Sequence, residues 1–418
     1  MDILKFISIL LFLIVKLKKI ICVDMCKENH IINKRDILSD EFSSWIMPIN
    51  YQIKDSSLNK DVIKKAIEEI ENNTCIRFEE KDLSANNTQG IVFEYSKTNC
   101  ASKVGRVFKN NTQSIQLTKD CSNKKGVILH ELGHALGLLH EHCRTDRDDY
   151  ITVKEENIVN GEKVNFEIQN HSAYTNFSIH YDYSSIMHYG QYDFANWNIF
   201  NPWLSVLESK LNIIYNKMMG QRLKMTFNDY KKLNFAYCKC NEAEKKRRGK
   251  GNKKRKNNEE KKTIEPKNKI QCLNGGYIAS SNCSNCSKCI CPFGYTGDLC
   301  NEIMTSDIKC NKTTFNASEI LYTYWIAGPE KCFFFLVAQQ GKKIELSIYY
   351  SSAPYRSICT DDVSHQIKYL KDKGTTGLLL CSWQRNVINL KSESNSVLLY
   401  FNGNSNNALI QFGFKQVD

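Results

Sequence analysis

Residues 130–140, His-Glu-Leu-Gly-His-Ala-Leu-Gly-Leu-Leu-His, constrain this chain more than any other stretch. Each residue of an α-helix turns the chain by about 100°, so His130 and His134 project from one face and can grip a single metal ion. Glu131 sits beside that pair, where a base for a metal-bound water must stand, without being needed as a ligand. Gly137 has no side chain, so a helix ending there can pass through a left-handed conformation and swing His140 back as a third imidazole. Three neutral nitrogens suit Zn²⁺ and leave one position open for water. The stretch also reads as an amphipathic core helix, with Val127, Ile128, Leu132, Ala135, Leu136, Leu138 and Leu139 as its buried face. That reading holds too, but it leaves three histidines and a glutamate without a purpose.

A chain of 418 residues with 42% hydrophobic content is ordinary globular protein of two or three domains, not a membrane bundle. Its 18 cysteines crowd toward the C-terminal half. Sequons of the form Asn-x-Ser/Thr stand at Asn72, Asn86, Asn110, Asn170, Asn176, Asn282, Asn285, Asn311 and Asn316. Together they point to an oxidising, glycosylating secretory route and an extracellular protein. The apolar run 3–15, interrupted by Lys5 and Ser8, is short of the roughly 20 residues that span a bilayer. It reads as a signal peptide over 1–22, with no stable membrane span and a short signal anchor as the alternative.

The net charge of +12 matters through its location. Residues 241–269 hold thirteen Lys or Arg against five Glu and almost nothing apolar, so the segment cannot bury enough to fold and reads as a solvated linker. Lys245-Lys246-Arg247-Arg248 within it is a candidate convertase site, and the whole segment a candidate contact for matrix or sulfated glycan. Without interleaved aromatics, nucleic acid is not expected.

Along the chain, 23–35 is a short polar piece ending in Lys34-Arg35, read as a pro-segment. Residues 48–53 alternate as a strand. Residues 61–72 carry Val62, Ile63, Ala66, Ile67 and Ile70 at helical spacing, with Lys64, Lys65, Glu68 and Glu69 facing water. Residues 75–78, 91–93 and 114–118 read as further strands, the last as an edge open to an extended peptide. Thr226 and Asp229 open a final helix with a capping-type acid. The insertion 196–219 has no assigned structure. Cys272, Cys283, Cys286, Cys289, Cys291 and Cys300 then crowd around Gly275-Gly276 in a segment too small for a hydrophobic core. From 310 to 418, β-rich runs at 331–337 and 397–401 alternate with polar turns, and Cys310, Cys332, Cys359 and Cys381 fall as two local pairs.

The spacing His-Glu-x-x-His-x-x-Gly-x-x-His is similar to that of the metzincins. Residues 36–238 resemble the catalytic domain of the astacin family of zinc endopeptidases. The likeness runs on through His140-Glu141-His142-Cys143-Arg144-Thr145-Asp146-Arg147-Asp148-Asp149-Tyr150, through Tyr183-Ser184-Ser185-Ile186-Met187-His188-Tyr189, and through Gly220-Gln221-Arg222, Phe227 and Tyr237-Cys238. The six-cysteine segment resembles an EGF-like module and the C-terminal region a CUB domain, an order similar to that of nematode members. The resemblance implies an α+β, two-lobed peptidase domain over 36–240, a basic linker over 241–269, an EGF-like module over 270–301 and a CUB-like sandwich over 310–418. It also implies one catalytic Zn²⁺ on His130, His134 and His140, Glu131 as general base, and Met187 as an apolar floor. Tyr189 becomes a phenol that steadies the oxyanion. Glu141 becomes the acid that binds the new N-terminus after cleavage of the pro-segment, while Arg144 and Asp146 hold structure.

The family pattern further implies disulfides Cys75–Cys238 and Cys100–Cys121, with Cys291–Cys300 in the EGF-like module and Cys310–Cys332 and Cys359–Cys381 in the sandwich. Cys143 stands where the family has a small polar residue, and it is open to being a free thiol, a partner of Cys240, or bridged elsewhere. No Phe-x-Gly-Asp motif lies between Val23 and Arg35, which leaves open Asp24 or the Cys26 thiolate as a substitute for the usual plug, or a pro-segment that does not inhibit. The resulting expectation is a secreted zinc endopeptidase acting on extracellular proteins or peptides. The competing one is a catalytically silent matrix- or glycan-binding protein.

Overall fold

The computed structural model describes residues 44–84, 88–169, 177–197, 204–238, 270–278 and 288–418. The signal peptide, pro-segment and basic linker read from sequence lie outside them, as do Cys22, Cys26, Cys240, Cys283 and Cys286.

The first lobe is a sheet backed by helices. Strand β1 (Ile49–Ile53) buries alternate residues, as a strand with one covered face should. Helix α1 (Lys60–Asn73) starts where the Asn59 side chain accepts the Val62 N–H, and it buries Ile63, Ala66, Ile67 and Ile70 as their spacing requires. Strands β2 (Phe78–Glu80), β3 (Gly90–Tyr95), β4 (Ala101–Ser102) and β5 (Thr112–Leu117) complete a sheet of order β2-β1-β3-β5-β4. All pairs are parallel except β4 with β5.

Two sequence expectations change here. The strand expected at 75–78 begins at Phe78, because the Thr74 hydroxyl accepts the Ile76 N–H and the Arg77 guanidinium folds back onto the carbonyls of Glu71, Thr74 and Ile76. These local bonds hold 74–77 as a bend. The strand β5, expected as the free edge, is covered along its second half by β4, through Ala101 opposite Gln116 and Ser102 opposite Ile115. The sheet's edge on that side is therefore β4.

Helix α2 (Lys125–Ala135) follows, and every residue from Gly126 to Ala135 is buried. A helix apolar on nearly all sides belongs between layers, not on a surface. Among its described residues the second lobe is mostly irregular, with short 3-10 turns, an antiparallel pair of β6 (Ile151–Val153) and β7 (Leu207–Ser209), and helix α3 (Phe227–Tyr237). Disulfide Cys75–Cys238 joins the end of α1 to the end of α3, and Cys100–Cys121 braces the segments flanking β5. The insertion contributes β7 and a 3-10 turn, Ile213–Lys217, whose Tyr215 is fully buried.

Beyond the second lobe, a small segment is held by Cys272–Cys289 and Cys291–Cys300. A β-sandwich follows. One sheet runs Thr314–Asn316, Lys331–Val337, Ser396–Asn402, His365–Lys368, Leu378–Leu380; the other runs Tyr322–Ala327, Leu409–Val417, Lys343–Ser352, Trp383–Gln384. Cys310–Cys332 and Cys359–Cys381 lie within it. Its core is continuous with the second lobe: Tyr181, Tyr183, Tyr215 and Met218 pack in one cluster with Ile367, Tyr369, Leu378 and Leu380. The Tyr215 hydroxyl bonds that of Tyr369 at 3.3 Å across the join. Among the described residues, no helix is long and apolar enough to cross a membrane.

Candidate functional site

The site begins with how α2 ends. Leu138 N–H donates to the Gly133 carbonyl at 2.8 Å and Gly137 N–H to the His134 carbonyl at 2.8 Å, with Gly137 at φ +100°. This is the Schellman pattern, which needs a left-handed residue after the cap. The remaining carbonyls of the last turn are satisfied from afar: Trp45 Nε1 donates to Ala135 O at 2.7 Å and the Tyr237 hydroxyl to Leu136 O at 3.0 Å. The segment just after β4 adds the Gly105 N–H to His134 O at 2.7 Å. A sharp stop after Ala135 is what returns the chain to His140.

His130, His134 and His140 converge, with potential ligand atoms all within 4.8 Å of one another. His130 Nδ1 lies 2.9 Å from Ile186 O and His134 Nδ1 2.8 Å from Leu138 O, so each Nδ1–H donates and each Nε2 keeps its lone pair for a metal. His134 Nε2 and His140 Nε2 are 3.1 Å apart. Two bare lone pairs repel at that range, whereas nitrogens bound tetrahedrally to zinc stand about 3.4 Å apart. Burial pushes His134 down to about 4 and holds His130 and His140 well below the ordinary histidine value, with Arg222 and His134 adding to the effect on His130. The imidazoles are therefore neutral at neutral pH, as metal ligands must be. The donor set fits zinc.

Glu131 is buried on the same helix, one residue after the first ligand. Met187 is buried beneath α2, and a Cβ placed on Gly133 would lie 3.0 Å from its sulfur. Tyr189 is buried with its ring 4.5 Å from that of His140 and 3.9 Å from that of His142. Cys143 is buried, with Sγ 3.4 Å from Asn165 O.

The turn carrying Met187 is anchored by α3. Asp229 forms a reciprocal capping box with Thr226, and its carboxylate also accepts the Ser185 hydroxyl at 2.6 Å and the Ile186 N–H at 3.1 Å. The capping acid seen in the sequence thus also places Ile186, whose carbonyl orients His130.

Glu141, directly after the third ligand, is 1% exposed. Its carboxylate pairs with Arg144 Nη1 at 2.8 Å and with Lys232 Nζ, and accepts the Asp182 N–H at 3.1 Å. Burial raises its pKa, but the charges of Lys232 and Arg144 outweigh that and hold the group at about 2. Arg144 is itself bidentate on Asp146. Trp45, Lys232 and Asp182 are not legible as site residues in the sequence, because each reaches the site across more than forty residues and carries no local motif; Tyr237 is legible only through the family likeness of its closing stretch, which says nothing of its bond to Leu136 O. The role of Gly133, which leaves room for the Met187 sulfur, is not legible from the motif.

A helix presenting two imidazoles, a reversed third and an adjacent carboxylate, over a methionine turn and beside a sheet edge, has the makings of a metal centre. Residues 38–238 match the family model described as astacin, a peptidase family. Zinc metalloproteinase nas-34 of Caenorhabditis elegans is 28% identical over 88% of this chain and 55% of its own length. Zinc metalloproteinase nas-36 of Brugia malayi is 30% identical over 86% of this chain and 57% of its own. Among solved structures, high choriolytic enzyme 1, a hatching enzyme zinc-protease from the medaka Oryzias latipes, is 32% identical over 46% of this chain and 90% of its own, with a TM-score of 0.40. Through residues 38–238 the chain belongs to the astacin family, and its His130, His134 and His140 form that family's zinc-binding group. The chain spans a little over half the length of the curated nematode relatives it matches.

Proposed function

We propose that this chain is a secreted zinc endopeptidase that hydrolyses extracellular proteins, with Glu131 as general base. The observation that carries the reading is the convergence of three neutral imidazoles with a buried carboxylate on one short helix. Zinc held by His130, His134 and His140 supplies Lewis acidity and lowers the pKa of water to about 7. Glu131 takes the proton of the attacking water and returns it to the leaving nitrogen. The Tyr189 phenol, its ring tilted against those of His140 and His142, offers its O–H to the oxygen on which negative charge develops. Met187 fills the space under the ligands. The β4 edge, tied to α2 through Gly105, is the strand an extended substrate would lengthen.

Export is supported by the cysteine pairs, since such disulfides persist in oxidising compartments. Residues 270–301 are read as an EGF-like module and 310–418 as a CUB-like sandwich, on their disulfide spacing and two-sheet architecture. Glu141 remains the contact proposed for a processed N-terminus, whose ammonium would join Lys232 and Arg144 around the same carboxylate.

The experiment is digestion of denatured casein by the purified full chain with and without phenanthroline, beside Glu131→Gln. Cleavage that stops under both treatments is expected. Cleavage surviving both would overturn the assignment.

A further inference from the structure

The sandwich does more than adjoin the second lobe. Its 372–376 turn reaches into the peptidase domain, where Thr376 N–H and Oγ1–H both donate to Asp182 Oδ2, at 3.2 and 3.0 Å. Beside it, Asn228 Nδ2 of α3 donates to Thr375 Oγ1 at 3.2 Å. The turn is stiff. Buried Lys368 donates to the carbonyls of Lys373 and Thr375, at 2.6 and 3.1 Å, and buried Lys373 donates to those of Leu370 and Ser396, at 2.6 and 2.9 Å. Gly275 of the small disulfide segment packs against it so closely that a Cβ there would collide with Gly374 N and the Asp372 carboxylate.

Asp182 is fully buried, and burial, with like-charged Asp229 second, pushes its carboxyl up to about 6. A carboxylate in that position is held by the donors around it: Ser184 N–H on Oδ1 at 3.0 Å, and the two from Thr376 on Oδ2. Its own backbone N–H donates to Glu141 Oε1 at 3.1 Å. Glu141 in turn donates its N–H to Met187 O at 3.0 Å and directly follows ligand His140. An unbroken path of hydrogen bonds and covalent bonds thus runs from the sandwich turn to the third zinc ligand and the methionine beneath the site.

We propose that Thr376 of the sandwich is a positioning residue for the zinc site, acting through Asp182 and Glu141 on His140 and Met187. The inference rests on the zinc peptidase reading above. In this chain the C-terminal sandwich is then a working part of the peptidase and not an appended binding module.

The test uses the full chain loaded with Co²⁺, whose visible absorption reports ligand geometry directly. Thr376→Val removes one donor at nearly constant volume, Thr376→Ser restores it, and Asp182→Asn turns an acceptor toward Thr376 into a donor. Expected are a shifted or weakened cobalt band for Thr376→Val and Asp182→Asn, kcat reduced at least fivefold with KM within twofold, and recovery of both in Thr376→Ser. A Thr376→Val protein with the wild-type band and wild-type kcat overturns the proposal, even if its Tm falls, because a purely structural contact would change Tm alone. The band is read whether or not the protein cuts peptide, so failure of the peptidase reading is seen separately.

Discussion

The sulfur of Met187 lies 3.0 Å from where a Cβ on Gly133 would stand, with Leu138 Cδ1 and Met225 Cε at 3.3 Å. The metal helix and the methionine turn therefore meet through a missing side chain. Gly133→Ala adds a methyl that the ends of three flexible side chains must yield to. Alanine's helix propensity returns about 1 kcal/mol, so its Tm is expected within about 3 °C of wild type. Gly133→Val has no such offset. It should push Met187 away, and a zinc competition titration should show affinity reduced at least tenfold.

For Glu131→Gln the size of the loss discriminates between roles. A general base contributes roughly 10²- to 10⁴-fold to rate, and glutamine keeps the shape. The expected outcome is kcat/KM down by that range with zinc stoichiometry unchanged on metal analysis. A variant that loses zinc would make Glu131 a supporter of the ligands instead.

At Gly137 the backbone sits at φ +100°, where an L side chain costs about 1–2 kcal/mol. Gly137→Ala is expected to lower Tm by several degrees in calorimetry. It should also weaken zinc binding, because the Leu138 carbonyl one residue on orients His134. Stability lost without loss of zinc affinity would separate the cap from the site.

In the sandwich, buried His365 lies between Ser352 O, 2.9 Å from Nε2, and the Asn402 N–H, which donates to Nδ1 at 3.0 Å. Burial pushes it down to about 4 from 6.5. The folded value is below the unfolded one, so the unfolded chain binds more protons in between. The contribution is whole above pH 6.5 and is lost as pH falls toward about 4, by about 3 kcal/mol. Asp182 has the opposite sign: its raised value makes stability fall as pH rises through about 6. Tm measured from pH 7 to 4 on wild type and His365→Gln isolates the histidine. Parallel curves would show that it does not titrate on unfolding.

What was legible in the sequence is what is local. The α1 periodicity, the His-Glu-x-x-His spacing, the Gly137 reversal and the Thr226–Asp229 cap are each written within a few residues, and helical geometry translates them directly. The disulfide pairs were proposed only through likeness to a family, since spacing alone does not decide between distant partners. The edge strand was misplaced because β4 is two residues long and has no alternation to read. Trp45, Lys232, Asp182 and Thr376 reach the site through tertiary contact, and the sandwich's part in it follows from a turn more than two hundred residues from the metal helix.

The Cys75–Cys238 bridge spans 163 residues and encloses every strand of the first sheet except β1, together with the metal helix and nearly all of the second lobe, in one covalent ring. A single cut anywhere inside that ring, including one the molecule makes in a sister copy, leaves both halves joined. Nicked and intact molecules should then have the same mass, apart from one added water, until the bridge is reduced. Self-cleavage would pass unseen on a non-reducing gel and appear only under reduction.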